Sequence, residues 1–509
     1  MVNRSVIEVR KWPDAVCFLR HSEAMELPEF DICYRALASR DTRFDGRLFV
    51  GITSTGIYCR PICPARTAKR ENCRFFPSAA AAQAAGFRPC LRCRPEISPD
   101  AAAWRGTSNT VSRALSLIAE GGFDDESGVG ALAERLGVGE RQLRRLFDKH
   151  LGAAPIVVAQ TRRLLFAKQL IQDTDLSMSA ISEASGFGSV RRFNDAFRKL
   201  YGRSPKELRV RRAASSAVTV KLGYRPPYDW DRIIAFLGAR AIAGVEIAES
   251  GRYARTIALQ GVYGSLVVQP GRNQLIATIR FPDVRALLGI VARLRRLFDL
   301  DADVSAIGLH LSADKTLAPL IAKRPGLRAP GAWDGFELAV RAILGQQVSV
   351  AAARSLAGRL VGLTSPRLLP DATGDERLDA AFPDPARLAA ADISTLGMPG
   401  ARLKSLKALA EAANADPRLL DPAGSFEDAV TRLMALPGFG PWTAQYWALR
   451  ALRDSDAFPA ADLALLRAVE EAGVRPTPKK LLDLAEAWRP WRAYAAQHLW
   501  AHDAERSLA

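Results

Sequence analysis

Gly56-Ile57-Tyr58-Cys59-Arg60-Pro61-Ile62-Cys63 and Gly86-Phe87-Arg88-Pro89-Cys90-Leu91-Arg92-Cys93 place four cysteines in two close pairs, one C-x3-C and one C-x2-C. Each pair can turn two thiolates toward one point from a single local bend, so together they supply the four ligands of a tetrahedral zinc ion. Sites of this spacing are most often structural. The surroundings here add chemistry, because Arg60, Arg66, Lys69, Arg70, Arg88 and Arg92 form a basic collar. Four thiolates on Zn(II) leave two net negative charges, which keeps one sulfur nucleophilic at neutral pH. Cations nearby would draw in a phosphate-bearing substrate.

Around the cysteines the spacing predicts a small α+β unit over residues 31–100, with a strand over Arg47–Thr53 and a turn at Ser54-Thr55-Gly56. So short a unit has little core and is expected to lean on its metal to fold. Residues 1–30 read as an extension, with no apolar core of a signal peptide. No run of apolar residues is long enough for a membrane span, so a cytoplasmic protein with no membrane partner is expected. The chain has 509 residues, 71 of them basic and 54 acidic, a net charge of +17. Its length calls for several domains, and its arginine-rich excess favours nucleic acid as the partner. Seven cysteines, four in the cluster, do not make a secreted disulfide framework.

Residues 108–213 predict an all-α domain in which one design appears twice. Val129–Leu136, the turn Gly137-Val138-Gly139 and Glu140–His150 form the first copy; Met178–Ser185, Gly186-Phe187-Gly188 and Ser189–Tyr201 form the second. A short helix, a glycine turn and a longer basic helix make a helix-turn-helix. The second helices carry Arg141, Arg144 and Arg145, and Arg191, Arg192 and Asn194. Arginine and asparagine can read base edges, and the remaining cations can hold phosphates.

Beyond Ser216 the pattern changes. Val218–Leu222, Ala254–Leu259 and Gly264–Arg280 read as strands, the last as a hairpin turning at Pro270–Asn273, with helices at Asp229–Arg240 and Pro282–Phe298. This gives an α+β lobe over 217–328 and an all-α domain over 329–509. In the latter, Leu436-Pro437-Gly438-Phe439-Gly440-Pro441-Trp442 joins two apolar helices through a glycine hairpin. Gly438 and Gly440 would let backbone N–H groups approach a DNA phosphate, with a monovalent cation completing the site. Phe458-Pro459-Ala460-Ala461-Asp462 follows at the start of the next helix.

The stretches GIYCRPIC, KRENCRFF and AAGFRPCLRC resemble the zinc domain of the Ada family over the whole Asp31–Pro99 unit. That resemblance implies that Cys59, Cys63, Cys90 and Cys93 hold zinc and that Cys59 accepts a methyl group from a DNA methylphosphotriester. The doubled helix-turn-helix resembles the AraC type, which implies binding to promoter DNA and contact with RNA polymerase. From about Val218 onward, YRPPYDW, RPGLRAPG, RAILGQQVSV, LGMPG and WRPWRAYAAQHLW resemble the AlkA-type 3-methyladenine DNA glycosylases of the helix-hairpin-helix superfamily. The resemblance implies a catalytic carboxylate at Asp462 and a base pocket of Trp442, Tyr446 and Trp500. It implies a wedge at Gln347 that fills the gap left by a flipped base. The chain departs from that family at two places: Gln347 stands where a leucine wedge is usual, and Ala461 replaces an acid beside Asp462.

The expected whole is a monomeric, bifunctional alkylation-damage protein acting on double-stranded DNA. A purely regulatory protein would not need Asp462, Trp442 and a wedge loop. A glycosylase with a merely structural zinc module remains the alternative, and Cys59 within a close Ada motif argues against it. No Pro-Cys-His-Arg tetrapeptide is present, so O6-methylguanine repair is not expected.

Overall fold

The computed structural model describes residues 27–99, 109–121, 123, 128–210, 217–249, 251–421, 426–471 and 473–506. The expectation for residues 1–26 lies outside them.

Around the cysteines, β1 (Phe49–Ile52), β2 (Ile57–Cys59), β3 (Cys73–Phe76) and β4 (Arg88–Pro89) make a sheet in the order β3-β1-β2-β4. Gly56 turns β1 into β2 at φ +65°, a backbone that suits glycine. The parallel register of β2 and β4, with Tyr58 opposite Pro89, brings the two cysteine pairs side by side, and Cys90 N–H donates to Tyr58 O at 2.9 Å. Beneath lies a small aromatic core of Phe49, Tyr58, Phe76 and Phe87.

Both helix-turn-helix copies form. Gly128–Arg135 is followed by Glu140–Leu151, and Met178–Ala184 by Val190–Tyr201; the helix Pro155–Asp173 connects them. In the second copy Ser177 and Ser189 cap the two helices by accepting from the N–H groups of Ala180 and Arg192, as serine does at a helix start. The two copies belong to different cores. Leu132, Leu143 and Phe147 of the first pack with the preceding helix Asn109–Ala119. Phe193, Phe197 and Tyr201 of the second are buried in the same cluster as the strands that follow.

Those strands, β5 (Val218–Gly223), β6 (Glu246–Glu249), β7 (Arg252–Leu259), β8 (Val262–Gly271) and β9 (Gln274–Arg280), form an antiparallel sheet in the order β5-β9-β8-β7-β6. The expected hairpin is present, turning at Arg272-Asn273 with Asn273 at φ +55°. Sequence reasoning missed β6. It is an edge strand bracketed by Glu246 and Glu249, and such charges blunt an edge while hiding its strand pattern. The remaining chain is helical, with one broad core around Trp447, Leu465 and Trp488.

The zinc unit and the connecting helix are joined by buried charge. Lys168 Nζ reaches both oxygens of Glu96 at 2.7 and 2.8 Å, both side chains being fully buried. Arg94 bridges Glu96 and Asp173. Glu96→Gln would leave the Lys168 charge short of its partner, and breaking such a pair costs about 3–5 kcal/mol. Chemical denaturation of the variant should therefore show a destabilisation of that order; a loss under about 1 kcal/mol would mean that the pair is solvated.

Candidate functional sites

The cysteine centre forms as expected. The four sulfurs of Cys59, Cys63, Cys90 and Cys93 all lie within 4.8 Å of one another, which fits a zinc ion bonded to each at about 2.3 Å. They are not equivalent. Cys63, Cys90 and Cys93 are 6, 7 and 7 % exposed, whereas Cys59 is only partly buried at the end of β2. Backbone N–H groups of Arg60 and Arg92 point to the sulfurs of Cys93 and Cys90 at 3.3 and 3.4 Å. Of the four residues, Cys59 is the most exposed.

The collar needs one correction. Arg66, Lys69, Arg70, Arg88 and Arg92 are exposed, but Arg60 is buried. Its guanidinium folds inward because partners wait there: Nε donates to Asp45 Oδ1 at 2.7 Å and Nη1 to Cys93 O at 3.0 Å. Arg60 thus fixes the loop that presents Cys59 rather than facing DNA. Arg70 is engaged too, pairing with Asp31 and lying over the Phe30 ring at 4.8 Å. Asp45 also ties this unit to the lobe, its carbonyl accepting from Arg225 Nε at 2.8 Å.

On the helix-turn-helix pair, Arg141, Arg144 and Arg145 are exposed on Glu140–Leu151, with Arg144 held by Glu140 one turn earlier. Arg191 and Arg192 are exposed in the first turn of Val190–Tyr201, and Asn194 is half-buried. The first turn of a second helix is where such units meet base edges.

In the helical domain the separated motifs converge. Asp462 caps the helix Leu463–Ala468, Oδ1 accepting from the N–H groups of Ala464 and Leu465 at 3.0 and 3.1 Å. The same oxygen accepts from Trp500 Nε1 at 3.0 Å, and Oδ2 accepts from Trp442 Nε1 at 2.9 Å. Four donors fix one half-buried carboxylate. Trp442 and Tyr446, one turn apart on Pro441–Trp447, stack with centroids 5.4 Å apart, and Trp500 meets Tyr446 edge-on at 6.2 Å. The three predicted aromatics and the predicted acid are one site.

The hairpin glycines differ in what they do. Gly438 has φ +85°, and a Cβ there would fall 2.4 Å from Ser405 Oγ, so the helix behind forbids a side chain. Gly440 caps Pro441–Trp447 and faces open space, which leaves room for a backbone to approach. Gln347 is exposed at φ +58°. Its neighbour Gln346 was not singled out in the sequence, yet it binds the two elements together: Nε2 donates to Gly438 O at 2.7 Å, and its carbonyl accepts from Arg402 at 2.8 Å. Only its adjacency to Gln347 could have signalled that role.

Residues 32–96 match the metal binding domain of Ada, 132–211 a helix-turn-helix domain, and 219–334 the AlkA N-terminal domain. The chain is 42% identical over 481 residues to the "Probable bifunctional transcriptional activator/DNA repair enzyme AlkA" of Mycobacterium tuberculosis, spanning 93% of this chain and 96% of the relative. It is 37% identical over 284 residues to "DNA-3-methyladenine glycosylase 2" of Escherichia coli, covering 55% of this chain and 95% of that protein. A solved 3-methyladenine DNA glycosylase from Archaeoglobus fulgidus shares the fold, with a TM-score of 0.50 at 22% identity over 57% of this chain and 99% of the other. No helix of the described residues is long and apolar enough to cross a membrane.

Proposed function

Since the chain belongs to the family of bifunctional transcriptional activator/DNA repair enzymes of the AlkA type, we propose that it removes alkylated bases, 3-methyladenine above all, from duplex DNA and accepts methyl groups from the DNA backbone at Cys59. The observation that carries the first activity is the Asp462 carboxylate, pinned between Trp442 and Trp500 at the head of a helix that follows the glycine hairpin.

Breaking the bond from C1′ to the base nitrogen sends its electron pair to the base and leaves positive charge on the sugar. A carboxylate held by fixed donors stabilises that charge without reorganising, and it can orient the water that adds to C1′ and gives up a proton. The N–H donors also keep the acid from rotating away when the site fills. Gln347 would enter the stack as the wedge, its depth set by the hydrogen bond of Gln346 to Gly438. The N–H groups around Gly438 and Gly440 would hold a phosphate, a bound monovalent cation assisting.

At Cys59 the sulfur attacks the methyl carbon of a phosphotriester. An S–C bond forms, the C–O bond breaks, and the phosphate leaves with the electron pair as a diester anion. A zinc ion held by Cys59, Cys63, Cys90 and Cys93 would keep the Cys59 thiolate available at neutral pH, and conversion of that sulfur to a thioether would leave the centre with one negative charge fewer. A less negative centre repels DNA phosphates less, which turns damage into tighter promoter binding by the two helix-turn-helix copies.

Both activities can be read from one incubation. The full chain, mixed with duplex DNA pre-treated with a labelled methylating agent, should release free 3-methyladenine over many turnovers and take up at most one label per chain. Absence of released base would end the glycosylase reading. Release without protein labelling would leave the zinc unit as a DNA-targeting module.

A further inference from the structure

The helix that carries Trp442 and Tyr446 runs on into a π-helical turn, Ala448–Leu452. A wider turn of this kind redirects side chains, and it brings Arg450 under the pocket wall. Arg450 is 2% exposed. Its guanidinium carbon lies 5.2 Å from the centroid of Tyr446, 5.3 Å from Trp500 and 4.4 Å from Phe236. Nη1 donates to Pro330 O at 2.7 Å and Nη2 to Gln497 Oε1 at 3.2 Å, while Nε is buried without a partner. Among the described residues no carboxylate pairs with it. Arg255 and Arg60, also buried, have Glu337 and Asp45.

A guanidinium does not lose its proton in proteins, so a fixed positive charge stands behind the aromatic face that a flipped base would meet. A second one, Arg240, lies 3.9 Å from the centroid of Phe236, the ring that Arg450 also approaches. Both charges act on Tyr446: burial alone would push its hydroxyl up, yet Arg450 and Arg240 draw it below its ordinary value.

Cleavage always makes the base one charge more negative. A cationic alkylpurine leaves neutral, and a neutral lesion leaves bearing negative charge. A cation on the base side therefore favours the transition state over the bound substrate in either case. Asp462 does the converse on the sugar side. We propose that Arg450 is a positioning residue for the excision reaction: acting through Tyr446 and Trp500, its charge draws the bond electrons toward the departing base and offsets the pocket's attraction for bases that are already cationic. Neutral damaged bases thereby become substrates beside cationic ones. The inference rests on the glycosylase reading above.

A structural role and this electrostatic one separate experimentally. Full-length Arg450→Gln keeps hydrogen bonding and loses the charge; Arg450→Lys keeps the charge. Single-turnover excision should be followed on duplexes holding 7-methylguanine (cationic) or hypoxanthine (neutral). Ground-state affinity should be measured with 2′-fluoro-7-methylguanosine, which resists cleavage, and with its neutral 7-deaza-7-methyl isostere. Arg450→Gln should slow both excisions by about tenfold to a hundredfold. It should bind the cationic duplex several-fold more tightly and leave the neutral one unchanged, and Arg450→Lys should restore most of the rate. Unchanged rates, or equal weakening of both affinities in both variants, would overturn the proposal. Should Arg450→Gln not fold, the wild-type protein decides: it should bind the cationic 2′-fluoro duplex no better than the neutral isostere, and a tenfold preference for the cation would overturn it. If wild-type protein excises neither base, the glycosylase reading itself has failed.

Discussion

Asp462→Asn should lower single-turnover release of 3-methyladenine by about a thousandfold while leaving the fold and the Cys59 reaction intact. The substitution is nearly isosteric, and asparagine is as good a helix cap as aspartate, so the N–H groups of Ala464 and Leu465 keep their acceptor. What goes is the negative charge proposed to face C1′, together with one hydrogen bond. If the amide oxygen takes the Oδ1 position, the amide NH2 meets Trp442 Nε1, which is itself a donor. The aromatic wall loses one tether and the sugar loses its counter-charge. Affinity for a duplex containing an abasic analogue should survive, because the hairpin and wedge loop are untouched. Wild-type excision by this variant would remove Asp462 from the mechanism.

Much of this site was legible because its signals are local. Two thiolates per turn and glycine at the turn between two helices are each decided by a few neighbouring residues, and so the four-cysteine centre, both helix-turn-helix copies and the helix start at Asp462 could be placed from the chain alone. The resemblance to known families then linked Asp462 to Trp442, Tyr446 and Trp500. What could not be read depends on contacts between distant segments. Arg60 looks like any collar arginine until Asp45 is seen beneath it. Gln346 gains its role from Gly438, and Arg450 from a π-helical turn and from Phe236 on another lobe. The sharing of one core by Phe197 and the β5–β9 sheet is likewise invisible in a sequence whose patterns end cleanly near Ser216.

That shared core bears on how the two chemistries relate. The zinc unit is held to the connecting helix by Lys168–Glu96 and to the lobe by Asp45 and Arg225, with Arg47 also reaching Asp303 at 2.5 Å. Arg60 stands at the head of this path, one residue after Cys59, and its N–H touches the sulfur of Cys93. Neutralising one sulfur changes the charge that Arg60 faces. The segments that would feel it first are those packed against Arg60, the loop at Asp45 and the turn at Cys93-Arg94 that leads into Pro95–Ile97. A change of charge at the cysteine centre would therefore meet buried protein charges directly.

Cys59→Ala should reduce transfer of labelled methyl from phosphotriester DNA to background while 3-methyladenine release continues at the wild-type rate. The three remaining sulfurs do not replace it, since Cys63, Cys90 and Cys93 are each less than a tenth exposed and two receive backbone N–H groups that lower their nucleophilicity. Zinc should stay bound more weakly, with water in the vacated position, as three-ligand sites allow. The variant centre then carries one negative charge fewer than the intact one, the same change that methylation makes. Its promoter affinity should accordingly lose its dependence on prior methylation and lie nearer the methylated value, with a salt dependence to match. Metal content by mass spectrometry separates this from simple loss of the ion, in which case the small unit would unfold. Stoichiometric labelling of Cys59→Ala at another cysteine would show that exposure does not select the acceptor. Labelling lost along with base release would show that the two sites do not work independently, and that the buried charges between them transmit more than position.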